Sequence, residues 1–231
     1  MTKTQKTEPK AAWIVGISGF WGQKIALSLF RLGWQVIGFS RSEPTLLIDW
    51  AEAQKKKFSW HRLDLNDPQI EDLSWLQTPQ AYFHSAASFC EDRKSLWQIN
   101  VTSTLDLMEN VIDRMEISGS GRIGLWLGQN GRIGLPLISE FSATQGALWT
   151  WAEGKARSLR KKAGDLRLTL VFPPRAPSNL QANLASKLSK PPKVNVPENA
   201  DDLVQSVLSG DASAGRLPLL ASFNTALYRF F

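Results

Sequence analysis

Histidine, tyrosine and cysteine are all scarce in this chain, with two, two and one among 231 residues. The single cysteine, Cys90, excludes an internal disulfide framework and leaves no thiolate cluster for a structural zinc. No apolar run approaches the roughly 20 residues that a membrane-spanning helix needs, so no membrane span is expected. The opening stretch MTKTQKTEPK has no apolar core, which argues against a secretory signal. Residues 1–10 are expected to be a disordered lead, and the expected setting is cytoplasmic. Acidic residues are outnumbered, 21 against 27 basic ones, giving a net charge of +6. The excess is scattered through short mixed runs, QKKKF, RSLRKK and KLSKPPK, which read as solvated faces rather than a nucleic-acid patch. No nucleic-acid partner is expected, although a basic surface does concentrate anionic small molecules, phosphorylated cofactors included.

Ordinary proportions of hydrophobic (43%) and charged (21%) residues fit a globular protein, and the length fits one domain over residues 11–231. Short β-rich runs alternate with helical stretches, the pattern of a parallel sheet flanked by helices. Strands are expected at 11–17, 34–39, 58–63, 80–84, 121–127, 166–172 and 216–220. Helices are expected from about residue 21 to Gly33 and around 43–56, 68–77, 93–116, 140–162 and 198–209. The ten tryptophans read first as core: Trp13, Trp34, Trp60 and Trp126 lie in or beside predicted strands.

Between the first strand and the first helix lies GISGFWG, contributing Gly16, Ser18, Gly19, Phe20, Trp21 and Gly22. Glycines there let the backbone turn tightly and approach a pyrophosphate held at the helix N-terminus. The second strand ends GFSRSE, so Ser40 and Arg41 stand where an acid would bind the ribose hydroxyl of NAD. A guanidinium suits a 2′-phosphate instead, which favours NADP(H) as cofactor over NAD(H). A plain surface arginine is the alternative.

The spacing G-x-x-G-x-x-G, together with several motifs further along the chain, resembles the extended and atypical short-chain dehydrogenase/reductases (SDRs). RLDLND looks like the family's third-strand end, which would place Asp64 on the adenine amino group and pack Leu65 on the ring. FHSAAS resembles the H-x-A-A loop, whose Ala86 and Ala87 would line the cofactor. INVTSTLDLME looks like N-V-x-G-T-x-x-L, with Asn100 at a helix kink and Ser103 in place of glycine. VFPPRAPS resembles V-N-P-G-x-x-x-T, so Pro173 and Ser178 would meet the nicotinamide. The resemblance implies a single-domain α/β Rossmann-like fold: a doubly wound parallel sheet of about seven strands with helices on both faces.

In that family a Ser, a Tyr and a Lys move the proton, and here the resemblance puts Gly128, Phe141 and Gln145 at their positions. Neither tyrosine, Tyr82 or Tyr228, has a lysine four residues later. Losing a positioned general acid costs about 10²–10⁴ in rate. Losing an oxyanion donor costs roughly 10²–10³ more. Ordinary carbonyl reduction is therefore not expected. Cys90, beside Glu91 and Asp92, is either a nucleophile at the substrate side or an inert thiol, and His84 either a base or a loop residue bonded to backbone.

These residues together suggest an NADP(H)-binding SDR homologue acting as a non-reducing subunit, sensor or interaction protein. The alternatives are an enzyme for a redox-neutral elimination, isomerisation or cyclisation in the same pocket, and an atypical NADP-dependent oxidoreductase. The resemblance also implies a homodimer, or a heteromer with an SDR relative, through the 93–116 and 140–162 helices. Trp149 or Trp151 would be an anchor there, and a small-molecule ligand remains open.

Overall fold

In the computed structural model the described residues are 10–67, 73–174, 177, 198–211 and 213–214. Strand β1 (Ala11–Val15) is buried along its whole length because both faces are covered, as its unbroken apolar run requires. Trp13 and Val15 point into one core cluster, whereas Ala12 and Ile14 point into another on the opposite face. The parallel sheet continues through β2 (Gln35–Ser40), β3 (Phe58–Arg62), β4 (Ala81–His84), β5 (Ser120–Trp126), β6 (Asp165–Val171) and the short β7 (Ser213–Ala214). Its order is β3-β2-β1-β4-β5-β6-β7. The order reverses between β1 and β4, and in a doubly wound sheet the crevice above that point is where ligands bind.

Helix α1 (Phe20–Arg31) buries Ile25, Ala26, Leu29 and Phe30 against one face, joined there by Val204 and Val207 of α6 (Asp201–Ser209). On the other face α4 (Ser103–Ile117) contributes Met108, Ile112 and Met115, and α5 (Ser139–Lys161) contributes Leu148, Ala152, Ala156 and Leu159. Lys155 of α5 pairs with Glu109 of α4, and Lys162, just past the end of α5, pairs with Glu116 of α4. Helix α2 (Thr45–Ala53) comes after β2, and α3 (Arg93–Trp97) after the loop that leaves β4. Of the tryptophans expected in the core, Trp13 and Trp126 are buried, and Trp34 and Trp60 are partly buried against it.

Three elements depart from the sequence-based expectation. The seventh strand comes at Ser213–Ala214, ahead of the expected 216–220, which lies outside the described residues. The described part of the expected 68–77 helix is a turn: Leu76 N–H bonds Leu73 C=O at 3.1 Å, and the Arg114 guanidinium takes the carbonyls of both residues. The continuous helix expected over 93–116 is broken by a widened π-helical turn at Gln98–Thr102, with Asn100 buried in it.

Gly154 lies exposed in the interior of α5 with nothing within 4 Å of where a Cβ would stand. Gly154→Ala is expected to raise stability by about 0.5–1 kcal/mol, because glycine loses more backbone freedom on entering a helix. Urea denaturation would read this directly. A loss of stability instead would mean that another molecule packs against that face.

Candidate functional site

The turn after β1 is shaped by backbone contacts that exclude side chains. Gly16 has φ +87°, and a Cβ there would stand 2.7 Å from the Ala86 nitrogen. A Cβ on Gly22 would stand 2.2 Å from the Gly16 oxygen. Strand, turn, helix and β4 exit loop therefore meet backbone to backbone. The turn is held by Gly16 and Ile17 N–H donating to Phe39 C=O, at 2.8 and 3.2 Å. Helix α1 begins with Gly19 as N-cap, no side chain capping it and no acid in its first turn. Its first amides and the positive end of its dipole face the crevice without a side-chain competitor, an arrangement that fits a pyrophosphate. Phe20 and Trp21, packed edge to face at 5.3 Å, are both partly buried at the helix start.

Ser40 is buried and its hydroxyl both donates and accepts. It donates to Ser42 C=O at 2.7 Å and accepts from the Trp60 indole N–H at 3.0 Å. Both bonds tie Ser40 to the bend after β2. At that bend Arg41 is exposed, and Ser42 Oγ lies 3.4 Å from Ser18 Oγ in the glycine turn. At the β3 exit, Asp64 accepts from Asn66 N–H at 3.0 Å, and Leu65 is buried. Ser103, which stands where the SDR resemblance implies glycine, donates to Leu65 C=O at 2.7 Å and so ties the start of α4 to this exit. Ala86 is half-buried against Gly16 and Ala87 is exposed beside it. Pro173 is partly buried after β6, and Ser178 lies outside the described residues.

The three positions carried over from the SDR catalytic set come together. Gln145 is buried, and its Oε1 accepts the Gly128 N–H at 2.8 Å. Its Nε2 has no partner among the described residues, leaving two amide donors for a sugar hydroxyl. A Cβ on Gly128 would stand 2.2 Å from Asn130 Oδ1, so the Asn130 carboxamide fills the space a serine side chain would need. Asn130 Nδ2 in turn donates to Ser142 Oγ at 3.3 Å. Phe141 is buried with Leu96 and Ile138 and meets Phe89 edge to face at 6.0 Å. Gly131 and Gly146 bring the loop onto α5, since a Cβ on Gly146 would stand 2.9 Å from the Gly131 oxygen. Among Gly128, Asn130, Phe141, Ser142 and Gln145 there is no formal charge and no proton source at neutral pH.

Two buried polar threads lie beneath this surface, and sequence reasoning did not find them. Asn100 accepts from Ser88 N–H and donates to Ser88 C=O, both at 2.8 Å, and donates to Thr144 Oγ1 at 3.3 Å. Thr144 then donates to Phe141 C=O at 2.7 Å. Separately, His84 lies between Tyr82 Oη, 2.9 Å from Nδ1, and Thr104 Oγ1, 3.1 Å from Nε2. Thr104 spends its only proton on Ile99 C=O, so His84 carries its proton on Nε2 and accepts from Tyr82 on Nδ1. Burial pulls the His84 pKa down to about 4, only partly offset by its backbone bond with Ala86, and pushes Tyr82 far up. His84 is thus a neutral strut rather than a base. Asp92 caps α3 by accepting from Ser95 N–H at 2.8 Å; the Ser95 side chain first and this N–H second hold its carboxyl below the usual range, and the Cys90 thiol donates to Asp92 C=O at 3.4 Å. Among the described residues no His, Cys, Asp and Glu cluster could hold a metal, and no helix is long and apolar enough to cross a membrane.

Residues 12–122 match the model of the NAD dependent epimerase/dehydratase family. No curated protein matches the chain. Among solved structures, a short chain dehydrogenase from Salmonella enterica serovar Typhi has a TM-score of 0.73 at 19% identity, covering 88% of this chain and 90% of that one. An actinorhodin polyketide ketoreductase variant with NADPH has a TM-score of 0.72 at 13% identity, covering 87% and 90%. A 3-oxoacyl (acyl-carrier-protein) reductase from Agrobacterium tumefaciens with NADP bound has a TM-score of 0.68 at 16% identity, covering 77% and 74%. At such identities the likeness is one of fold. The chain has an SDR-like Rossmann fold, and two of these neighbours, the ketoreductase and the 3-oxoacyl reductase, hold NADPH and NADP.

Proposed function

We propose that this chain is a diverged member of the SDR family that binds NADP(H) and does not reduce carbonyls. The observation that carries this reading is the Gln145 to Gly128 hydrogen bond beside the buried Phe141, set at the far end of a glycine cradle that remains intact. The binding end keeps its shape, while the positions expected to move the proton are neutral. Gln145 Nε2 would hold the nicotinamide ribose by hydrogen bonds alone, and the glycine turn with the α1 N-terminus would hold the pyrophosphate. The bound dinucleotide would supply a hydride in a reductase, but no residue here delivers the matching proton. The protein then works as a non-reducing subunit, a sensor or an interaction protein, as a homodimer or with an active relative through α4 and α5. Trp149 is less suited to anchor that contact than Trp151, because its ring already stacks on Phe172 at 4.2 Å and under Arg132 at 4.3 Å.

Titration with NADPH and NADH, monitored by tryptophan fluorescence, tests the reading. NADPH is expected to bind more tightly, and Arg41→Ala to weaken NADPH by about 10–100-fold while sparing NADH, the worth of one charged hydrogen-bonding contact. Failure to bind either dinucleotide would remove the cofactor reading, and ordinary ketone turnover with NADPH would remove the non-reducing one. The apolar wall of Phe89, Leu96, Ile138 and Phe141 favours a second reading, a redox-neutral enzyme for an apolar substrate. Its acid–base groups would have to come from outside that wall, because Asp92 is committed as a helix cap.

A further inference from the structure

We propose that Arg62 is a second cation of the 2′-phosphate site, and that the hydrogen-bonded chain Trp60–Ser40–Ser42 is the device that positions Arg41 beside it. The proposal rests on the NADP(H) reading and gives it a two-strand phosphate clamp. Arg62 ends β3 in register with Ser40, so it stands next to the bend that carries Arg41. Paired residues of a parallel ladder share a face, and residues two apart on a strand do too. Arg62 therefore leaves the sheet on the face of Ser40 and Trp60, whose side chains meet at 3.0 Å.

Charge accounting points to the same place. Arg31, Arg93, Arg122, Arg157 and Arg167 are in ion pairs, Arg114 holds two carbonyls, Arg132 lies on Trp149, and Arg160, without an ion pair among the described residues, stands in the last turn of α5 where a cation suits the helix dipole. Arg41 and Arg62 are exposed, and neither forms an ion pair among the described residues, although Glu43 and Asp64 are close in sequence. Two guanidiniums on adjacent strand ends repel one another unless an anion lies between them. Two forks from different strands suit the several oxygens of a dianionic phosphate better than one does.

The chain of hydroxyls explains why the bend holds still. The Trp60 indole N–H donates to buried Ser40 Oγ, Ser40 donates to Ser42 C=O, and Ser42 Oγ reaches Ser18 Oγ in the turn expected to carry the pyrophosphate. Ser40 is thus a positioning residue. Its loss should act only on ligands that use Arg41.

The test compares NADPH, NADH, adenosine 2′,5′-bisphosphate and ADP by calorimetry against the whole protein and three variants. Arg62→Ala is expected to weaken NADPH and the 2′,5′-bisphosphate by about tenfold, with NADH and ADP changed less than about twofold. Arg62→Lys should recover part of the loss, because it restores charge but not the fork. Ser40→Ala should weaken only the same two 2′-phosphorylated ligands. An Arg62→Ala protein that keeps the wild-type preference for NADPH over NADH overturns the clamp and leaves the cofactor reading standing. Equal loss of NADPH and NADH in Ser40→Ala makes that residue merely structural and overturns its part. A wild-type protein that binds none of the four ligands overturns the cofactor reading and the clamp together.

Discussion

Acidification from pH 7 to pH 4 is expected to remove about 3 kcal/mol of folding stability through His84 alone. In the fold its proton affinity is pulled down to about 4 by burial, against 6.5 when the chain is unfolded. Between those values unfolding takes up a proton. The contribution is therefore complete above about pH 6.5, falls by about 1.4 kcal/mol per pH unit as pH drops, and levels off near pH 4. Protonation would put a second N–H against Tyr82 Oη, whose own proton now points at Nδ1 and which burial keeps from ionising. The carboxylates do not blur this window. Asp92, Asp165 and Asp201 are held below the ordinary 3.8 by bonds to Ser95, to Arg122 and to Ser28 and Arg31, so their contributions are lost only at lower pH. Urea melts at half-unit pH steps, monitored by tryptophan fluorescence, read the slope. His84→Gln should flatten it and lower stability at pH 7, and an unchanged slope in that variant would assign the acid sensitivity elsewhere.

Much of the fold was legible because parallel strands covered on both faces announce themselves as continuous apolar runs. AAWIV in β1 is such a run, LRLTLV in β6 is interrupted only by Arg167 and Thr169, and the ends of both strands fell within two residues of expectation. The glycine turn was legible for a related reason, since its backbone geometry admits little else. What stayed hidden is nonlocal. The spacing of Leu73 and Leu76 imitates a helix, but their carbonyls are claimed by Arg114, 41 and 38 residues away. The bond that Trp60 makes to the Ser40 hydroxyl spans 20 residues and leaves no mark on the local sequence. Asn130, in a short turn with no local pattern, fills the room beside Gly128. Thr104 falls on the threonine of the N-V-x-G-T-x-x-L pattern, but the partners of Thr104 and Thr144 stayed hidden, because a threonine facing inward on a helix looks the same in sequence as one facing water. The candidate catalytic positions could be named from the order of motifs. That they are wired to one another by Gln145 and Asn130 could not.

Gly22→Ala is expected to cost about 1–3 kcal/mol of stability and to weaken dinucleotide binding more than a hundredfold. The added methyl would stand 2.2 Å from the Gly16 oxygen, 2.8 Å from its carbon and 2.7 Å from the Ile17 Cα, all of them backbone. No side chain can rotate aside, so the start of α1 must move off the turn. That movement separates the helix amides from the glycine loop, and the site loses the convergence of donors that a pyrophosphate needs. Gly16→Ala adds a left-handed φ of +87° to a 2.7 Å approach on Ala86 nitrogen, and should act in the same direction. Gly134→Ala is the control, because nothing lies within 4 Å of its Cβ position and its φ is not left-handed. Thermal melts and NADPH titrations of the three variants separate stability from binding. If Gly22→Ala melted lower yet bound NADPH as the wild type does, the glycine turn would serve packing alone, and the ligand of the crevice would have to be sought away from it.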